Sequence, residues 1–331
     1  MSAEAIYDSV WHHDGGRRRI LVLGGSGTIG RAACAALVAA GHMVVVALRR
    51  ASPTPPAGLV EVGALEDEAF LTGLLRSHAC DTVLSCIASR SGAPADAWAV
   101  DLGLNSHALR AAKSAGAGRF VLLSAICVQR PKLAFQQAKL AFEAELAASG
   151  LTYSIVRPTA FFKSLSGQLA RIRAGKPFLV FGDGRLTACK PISDADLAQF
   201  LVRCVEGGAG DNRILPVGGP GPALTPLEQG EALFEAAGLV PKFRHVPPGL
   251  LRGIAGGLAA AGVISPKARE KAELARIGLY YATESMLVWD KAAGRYDADA
   301  TPEFGQDTLP AFYRKLAAGE VTVHRGEHAV F

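Results

Sequence analysis

A doubly wound, Rossmann-like α/β fold with a parallel sheet and a smaller C-terminal cap is predicted by three features of this sequence. Short apolar runs alternate with stretches of helical periodicity from residue 19 onward. A glycine-rich turn joins the first run to the first helix. Half of the 331 residues are apolar and a fifth are charged, which suits a large core and excludes wholesale disorder.

The elements follow in order. Arg19-Ile-Leu-Val-Leu23 is a short apolar run bounded by glycine, as a buried parallel strand requires. After the turn, Ile29, Ala33, Ala36, Leu37 and Ala40 recur at helical spacing until Gly41 ends the helix. His42–Leu48 and Leu59–Val62 read as the next strands, separated by a proline-rich loop, and a helix follows over 66–77. Asp81–Ile87 and Arg119–Ser124 are strands four and five, with a helix over 96–114 between them. A helix over 132–148 leads into the sixth strand, Thr152–Val156. This alternation implies right-handed crossovers and one parallel sheet. Residues 18–160 are thus expected to be the core and 161–331 a mixed cap interleaved with it, with strand signals at Phe178–Phe181 and Arg213–Val217. Residues 1–17, which include His12 and His13, read as a flexible polar leader.

Composition excludes several functions. Lys and Arg number 35 against 30 Asp and Glu, a net charge of +5, and aromatics make up 7%. That balance favours an acidic ligand but lacks the dense basic, aromatic-studded surface of a nucleic-acid binder. The six cysteines never form Cys-x-x-Cys, so no metal site is expected and the thiols point to a reducing compartment. The N-terminus has neither secretory nor transit-peptide character, which places the expected location in the cytoplasm. Gly249–Ile264 is about two-thirds of a membrane span and contains Arg252 and several glycines. It reads as a glycine-loosened helix or loop, open to peripheral membrane contact but not spanning.

The chemistry begins at Gly24-Gly-Ser-Gly-Thr-Ile-Gly30. Between a strand and a helix, such a turn lets the backbone approach a pyrophosphate that rests on the helix N-terminus. Leu48-Arg49-Arg50 ends the second strand, where an acidic residue would bind the ribose 2′-hydroxyl of NAD. Two guanidiniums suit a 2′-phosphate instead, so the expected cofactor is NADPH.

Ser124 at a strand end and Phe135-Gln-Gln-Ala-Lys139 early in a helix resemble the Ser … Tyr-x-x-x-Lys signature of the short-chain dehydrogenase/reductase superfamily, with Phe135 in place of tyrosine. Lys139 keeps its position on the same helical face. A phenyl ring has no exchangeable proton, so alcohol–ketone chemistry through that residue is not expected. Longer segments narrow the resemblance: Val83–Arg90, Val121–Pro131, Phe135–Leu146, Tyr153–Ser164, Phe181–Gly184, Cys189–Ser193, Ile214–Gly221, Leu224–Glu231 and Ile277–Leu287. Together they look like the divinyl chlorophyllide 8-vinyl reductases, an atypical branch of that superfamily, over residues 18–331.

The resemblance implies NADPH-dependent reduction of a C8 vinyl group to ethyl in chlorophyll or bacteriochlorophyll biosynthesis, in a bacterial phototroph. It implies cofactor contacts at Gly24, Gly27, Thr28, Ile29, Gly30, Arg49, Arg50, Ser124, Lys139 and Pro158. Lys139 and Lys163 are the catalytic candidates, and Phe161, Phe162, Lys163 and Lys190 the candidates for a flat, apolar tetrapyrrole pocket with a cation for a propionate. Packing roles for Phe161, Phe162, Tyr280 and Tyr281, and surface roles for the lysines, remain alternatives. So do two other functions: a non-catalytic NADP-sensing regulator, and a related reductase for quinone or phenylpropanoid-like substrates. The cysteine spacing excludes the iron–sulfur type of 8-vinyl reductase.

Overall fold

The computed structural model describes residues 16–262 and 265–322, so His12, His13, most of the expected leader and the end of the Gly249–Ile264 segment lie outside the described residues. In chain order the strands are β1 (Arg19–Leu23), β2 (Met43–Leu48), β3 (Leu59–Val62), β4 (Thr82–Ser85), β5 (Arg119–Leu123) and β6 (Thr152–Pro158). They are followed by β7 (Phe178–Phe181), β8 (Arg213–Val217), β9 (Phe243–Val246), β10 (Val288–Asp290) and β11 (Arg295–Asp297).

Seven strands form one parallel sheet in the order β3-β2-β1-β4-β5-β6-β8. Because successive side chains on a strand face opposite ways, Ile20 and Val22 enter one core layer and Leu21 and Leu23 the other. Both faces are covered, which is why these strands read as unbroken apolar runs. Helices α1 (Thr28–Ala39), α2 (Glu68–Ser77), α3 (Pro94–Ala97), α4 (Asn105–Ala115) and α5 (Ala134–Ala147) connect the strands of the expected core. Residues Trp98–Leu104, between α3 and α4, are wound as a π-helix, a rare form that re-aims side chains.

The boundary expected at residue 160 falls short of the real core. Arg213–Val217, assigned from sequence to the cap, is β8 and completes the main sheet beside β6, Ser154 facing Arg213 and Pro158 facing Val217. Pro216 lacks an N–H for a further neighbour, and β8 is accordingly an edge strand. Three helices precede it: α6 (Phe162–Leu165), α7 (Leu169–Arg173) and α8 (Asp194–Glu206). The last of these packs on the same sheet face as α1, through Leu197, Ala198, Phe200 and Leu201. Ser193 caps it, its Oγ accepting from Asp196 N at 3.0 Å.

The remaining C-terminal part has its own small core. Strands β7 and β9 pair in parallel. Helices α9 (Pro226–Ala237) and α12 (Leu309–Ala318) pack with them around Phe162, Phe178, Leu233, Phe234 and Tyr313. Between these lie α10 (Pro248–Ala261), α11 (Pro266–Thr283) and the β10–β11 hairpin. Residues 249–261 of the glycine-rich segment are therefore helical, and among the described residues no helix is long and apolar enough to cross a membrane. All six cysteines are free thiols, and burial pushes Cys34 and Cys189 up to about 12.

The helix layer under β5 depends on Phe120 and Phe142, both fully buried with ring centroids 5.7 Å apart. Phe142→Ala is expected to cost about 3–5 kcal/mol of unfolding free energy, because a cavity remains where the ring was. Urea unfolding followed by circular dichroism measures it.

Candidate functional site

The glycine turn is built by contacts that leave no room for side chains. Gly24 has φ +75°, and a Cβ there would lie 2.6 Å from the Cys86 carbonyl carbon. A Cβ on Gly30 would lie 2.2 Å from Gly24 O. Gly27 N donates to Gly24 O at 3.0 Å, and Gly27 is the N-cap of α1 without any side-chain cap. The first N–H groups of α1 are thus left for a ligand, and the helix dipole favours an anion there. Ile29 is buried in the sheet layer, so of this residue only the backbone faces the turn.

Cations stand at this helix end and just after β2. Arg49 and Arg50 are exposed where β2 ends. Lys163 Nζ donates to Thr28 Oγ1 at 2.8 Å, which brings Lys163 to the glycine turn. Nearby, Asp194 is pushed up by burial and drawn back by Lys163, and its Oδ1 has no hydrogen-bond partner among the described residues. Sequence reasoning missed Arg31, which ties Ser26 O to the loop after β2 through Ser52 Oγ, both at 3.1 Å. A signal was available: a basic residue in the first turn of a helix opposes the dipole unless an anion shares the place.

The second part of the site lies around Lys139. Its Nζ is 2.9 Å from Oδ1 of Asp101, a fully buried carboxylate on the π-helical segment. Asp101 is fixed through its backbone, since its carbonyl accepts from Asn105 Nδ2 at 2.9 Å, and Asn105 in turn accepts from Ser85 Oγ at the end of β4. Asp101 Oδ2 has no partner among the described residues. Asp101 was also missed from sequence, because only the π-helical winding aims it at a lysine 38 positions later along the chain. Phe135, one turn before Lys139, packs against the buried cluster of Ile126, Cys127, Leu133 and Ile277.

Five further expected contacts are placed as follows. Ser124 Oγ donates to Glu143, whose carboxylate is also held by Arg157, the Nε contact being 3.1 Å. Ser124 is therefore part of a buried structural triad. Phe162 is buried against Phe312 at 5.3 Å between centroids, in the small C-terminal core. Lys190 is buried and paired with Glu303, which removes its charge from use on a propionate. Phe161 is half-buried, bridges to Ile192 and packs on the sheet layer below α8. Pro158 is buried at the end of β6, beside the turn into that segment.

Residues 24–207 match a family model described as NAD(P)H-binding. The divinyl chlorophyllide a 8-vinyl-reductase, chloroplastic, of Cucumis sativus is 45% identical, over 94% of this chain and 79% of that protein. The protein of the same name from Arabidopsis thaliana is 44% identical, over 90% of this chain and 76% of its own. The chain belongs to this reductase family. Among solved structures, the NADPH-dependent quinone oxidoreductase QOR2 of Escherichia coli, complexed with NADPH, covers 90% of the chain and 99% of its own at 18% identity, with a TM-score of 0.64. That likeness shows the fold shared by this 8-vinyl-reductase family member.

The site fits the nicotinamide dinucleotide its family binds: the cradle at Gly24 and Gly30 excludes any Cβ, and the uncapped helix end is ringed by Arg31, Thr28 and Lys163. In this 8-vinyl-reductase family member, Gly30→Ala is expected to abolish dinucleotide binding in isothermal titration, since its methyl would displace the turn. Gly27→Ala, whose Cβ meets Gly24 O at 3.4 Å with an ordinary φ of −73°, is expected to bind within a few-fold of wild type.

Proposed function

We propose that this chain reduces the C8 vinyl group of divinyl chlorophyllide, or of the corresponding protochlorophyllide, to ethyl with NADPH. The observation that carries this reading is the 43–45% identity to 8-vinyl-reductases from four plants. The site supports it. Arg49 and Arg50 offer paired N–H donors to a 2′-phosphate. Lys139, held by Asp101, is the residue this reading assigns to the nicotinamide ribose.

When bound, the nicotinamide supplies a hydride. The protein's part is to hold the vinyl group at near-attack distance and to exclude water. Charge arriving on the vinyl group spreads into the conjugated macrocycle, so no oxyanion forms. Phe135 and a Ser124 committed to Glu143 are compatible with that chemistry and unsuited to carbonyl reduction. Retention of Lys139 with its buried carboxylate partner favours an enzyme over a sensor, which has no use for a nicotinamide-side lysine.

We infer that the enzyme works in the cytoplasm of a phototroph making chlorophyll or bacteriochlorophyll. Leu250 and Ile254, exposed one turn apart on α10, support peripheral contact with a membrane surface.

Anaerobic incubation of the protein with NADPH and 3,8-divinyl chlorophyllide a tests the reading. A blue-shifted Soret band with a mass gain of two hydrogens is the expected result. An unchanged spectrum despite NADPH binding would favour the sensing role. Replacing Arg49 and Arg50 together by alanine is expected to weaken NADPH binding by about 10–100-fold, the worth of one charge-assisted contact or more. NADH binding should change little, and titration of both nucleotides measures the difference.

A further inference from the structure

Vinyl reduction needs a proton as well as a hydride; Phe135 has none to give, and Ser124 directs its own to Glu143. A hydroxyl reaches the same place from the C-terminal part. Helix α11 docks on the loop after β5, and three contacts fix it there. Tyr280 Oη shares its proton between Cys127 O at 2.9 Å and Arg130 O at 3.2 Å. Ile277 closes on Phe135 across Gly92, where a Cβ would lie 2.8 Å from Ile277 Cδ1 and 3.5 Å from Phe135 Cδ1. Just beyond the helix, Glu284 takes Arg130 at 2.9 Å, Tyr296 Oη at 2.6 Å and the Lys132 ammonium.

Tyr281 follows from this docking. Its ring stands edge-on to Tyr280 at 5.7 Å between centroids, and it lies one turn after Ile277, on the helix face that meets Phe135. Burial pushes the Cys127 thiol up, and Gln136, the Lys139 ammonium and the Tyr281 hydroxyl draw it back. Tyr281 is nevertheless 39% exposed, so part of the residue faces solvent. A phenol thus stands beside Phe135 and Lys139, supplied by a different element from the one that carries Lys139.

We propose that Tyr281 is the catalytic proton donor of this reductase. The inference rests on the vinyl-reduction reading. The hydride brings two electrons to the terminal vinyl carbon, and the π pair moves to the carbon attached to the macrocycle. A C–H bond forms at that carbon as the Tyr281 O–H bond breaks, and once the product has left, a proton from solvent restores the phenol. Burial of the oxygen and the neighbouring thiol raise the phenol's ionisation well above its usual range, so it carries its proton at neutral pH.

Tyr281→Phe and Tyr280→Phe separate catalysis from packing. With Tyr281→Phe, the single-turnover rate is expected to fall about 100-fold or more, as for loss of a general acid. Binding of the tetrapyrrole in the presence of NADP⁺, read by fluorescence quenching, should be unchanged. In D₂O the wild-type product should carry one deuterium on a single face of the ethyl methylene, and the variant's product should carry it on both. Tyr280→Phe should lower Tm while keeping the single face. A Tyr281→Phe rate within about threefold of wild type, or an unchanged facial preference, overturns the proposal. If Tyr281→Phe does not fold, fluorotyrosine at position 281 replaces it, and an unshifted pH–rate profile there is the overturning result. A wild-type protein that binds both ligands without reducing the vinyl group overturns the functional reading itself, and the proton donor with it.

Discussion

Gly30 passes so close to Gly24 that a methyl group at Gly30 would sit 2.2 Å from the Gly24 carbonyl oxygen. That contact holds the start of α1 at the carboxyl end of β1, with no side chain to cap it. The open N–H groups, Lys163 on Thr28 and Arg31 braced to the β2 loop then all converge on one helix end. An anion there meets a field assembled from two separate parts of the chain, the start of α1 and Lys163.

The other half of the site is organised by one buried ion pair. Asp101 and Lys139 are both nearly excluded from water, and removing either would leave an uncompensated charge. The π-helical turn is the device that makes the pair possible, since it rotates Asp101 inward and leaves Trp98 at the exposed start of the same turn. Strained or irregular winding of this kind is stable only where the surroundings hold it, and Asn105 with Ser85 does so here.

The C-terminal part does more than cover the sheet. Its helix α11 is locked to the loop after β5 by Tyr280 and Glu284, and through that lock it brings Tyr281, edge-on to Tyr280, up to that loop. Residues that look like ligands of a pigment, such as Phe162 and Lys190, are spent on making that part rigid. A large flat substrate needs a fixed frame more than it needs many charged contacts.

What the sequence determined by itself were the features encoded locally. The strand–turn–helix order, the glycine cradle, the arginines after β2 and the spacing of Phe135 and Lys139 are each set by residues near one another in the chain, and family resemblance reads them directly. Tertiary structure alone decided the pairings between distant residues. Arg213–Val217 joined the main sheet because β6 had an open edge, Ser124 turned to Glu143 because Arg157 already held that carboxylate, and Lys190 went to Glu303 because a buried ammonium must be neutralised. Asp101 and Tyr281 stayed hidden for the same reason. Periodicity says which face of an element is apolar, but the partner of a polar group is settled only when two elements meet and desolvation makes an unpaired group costly.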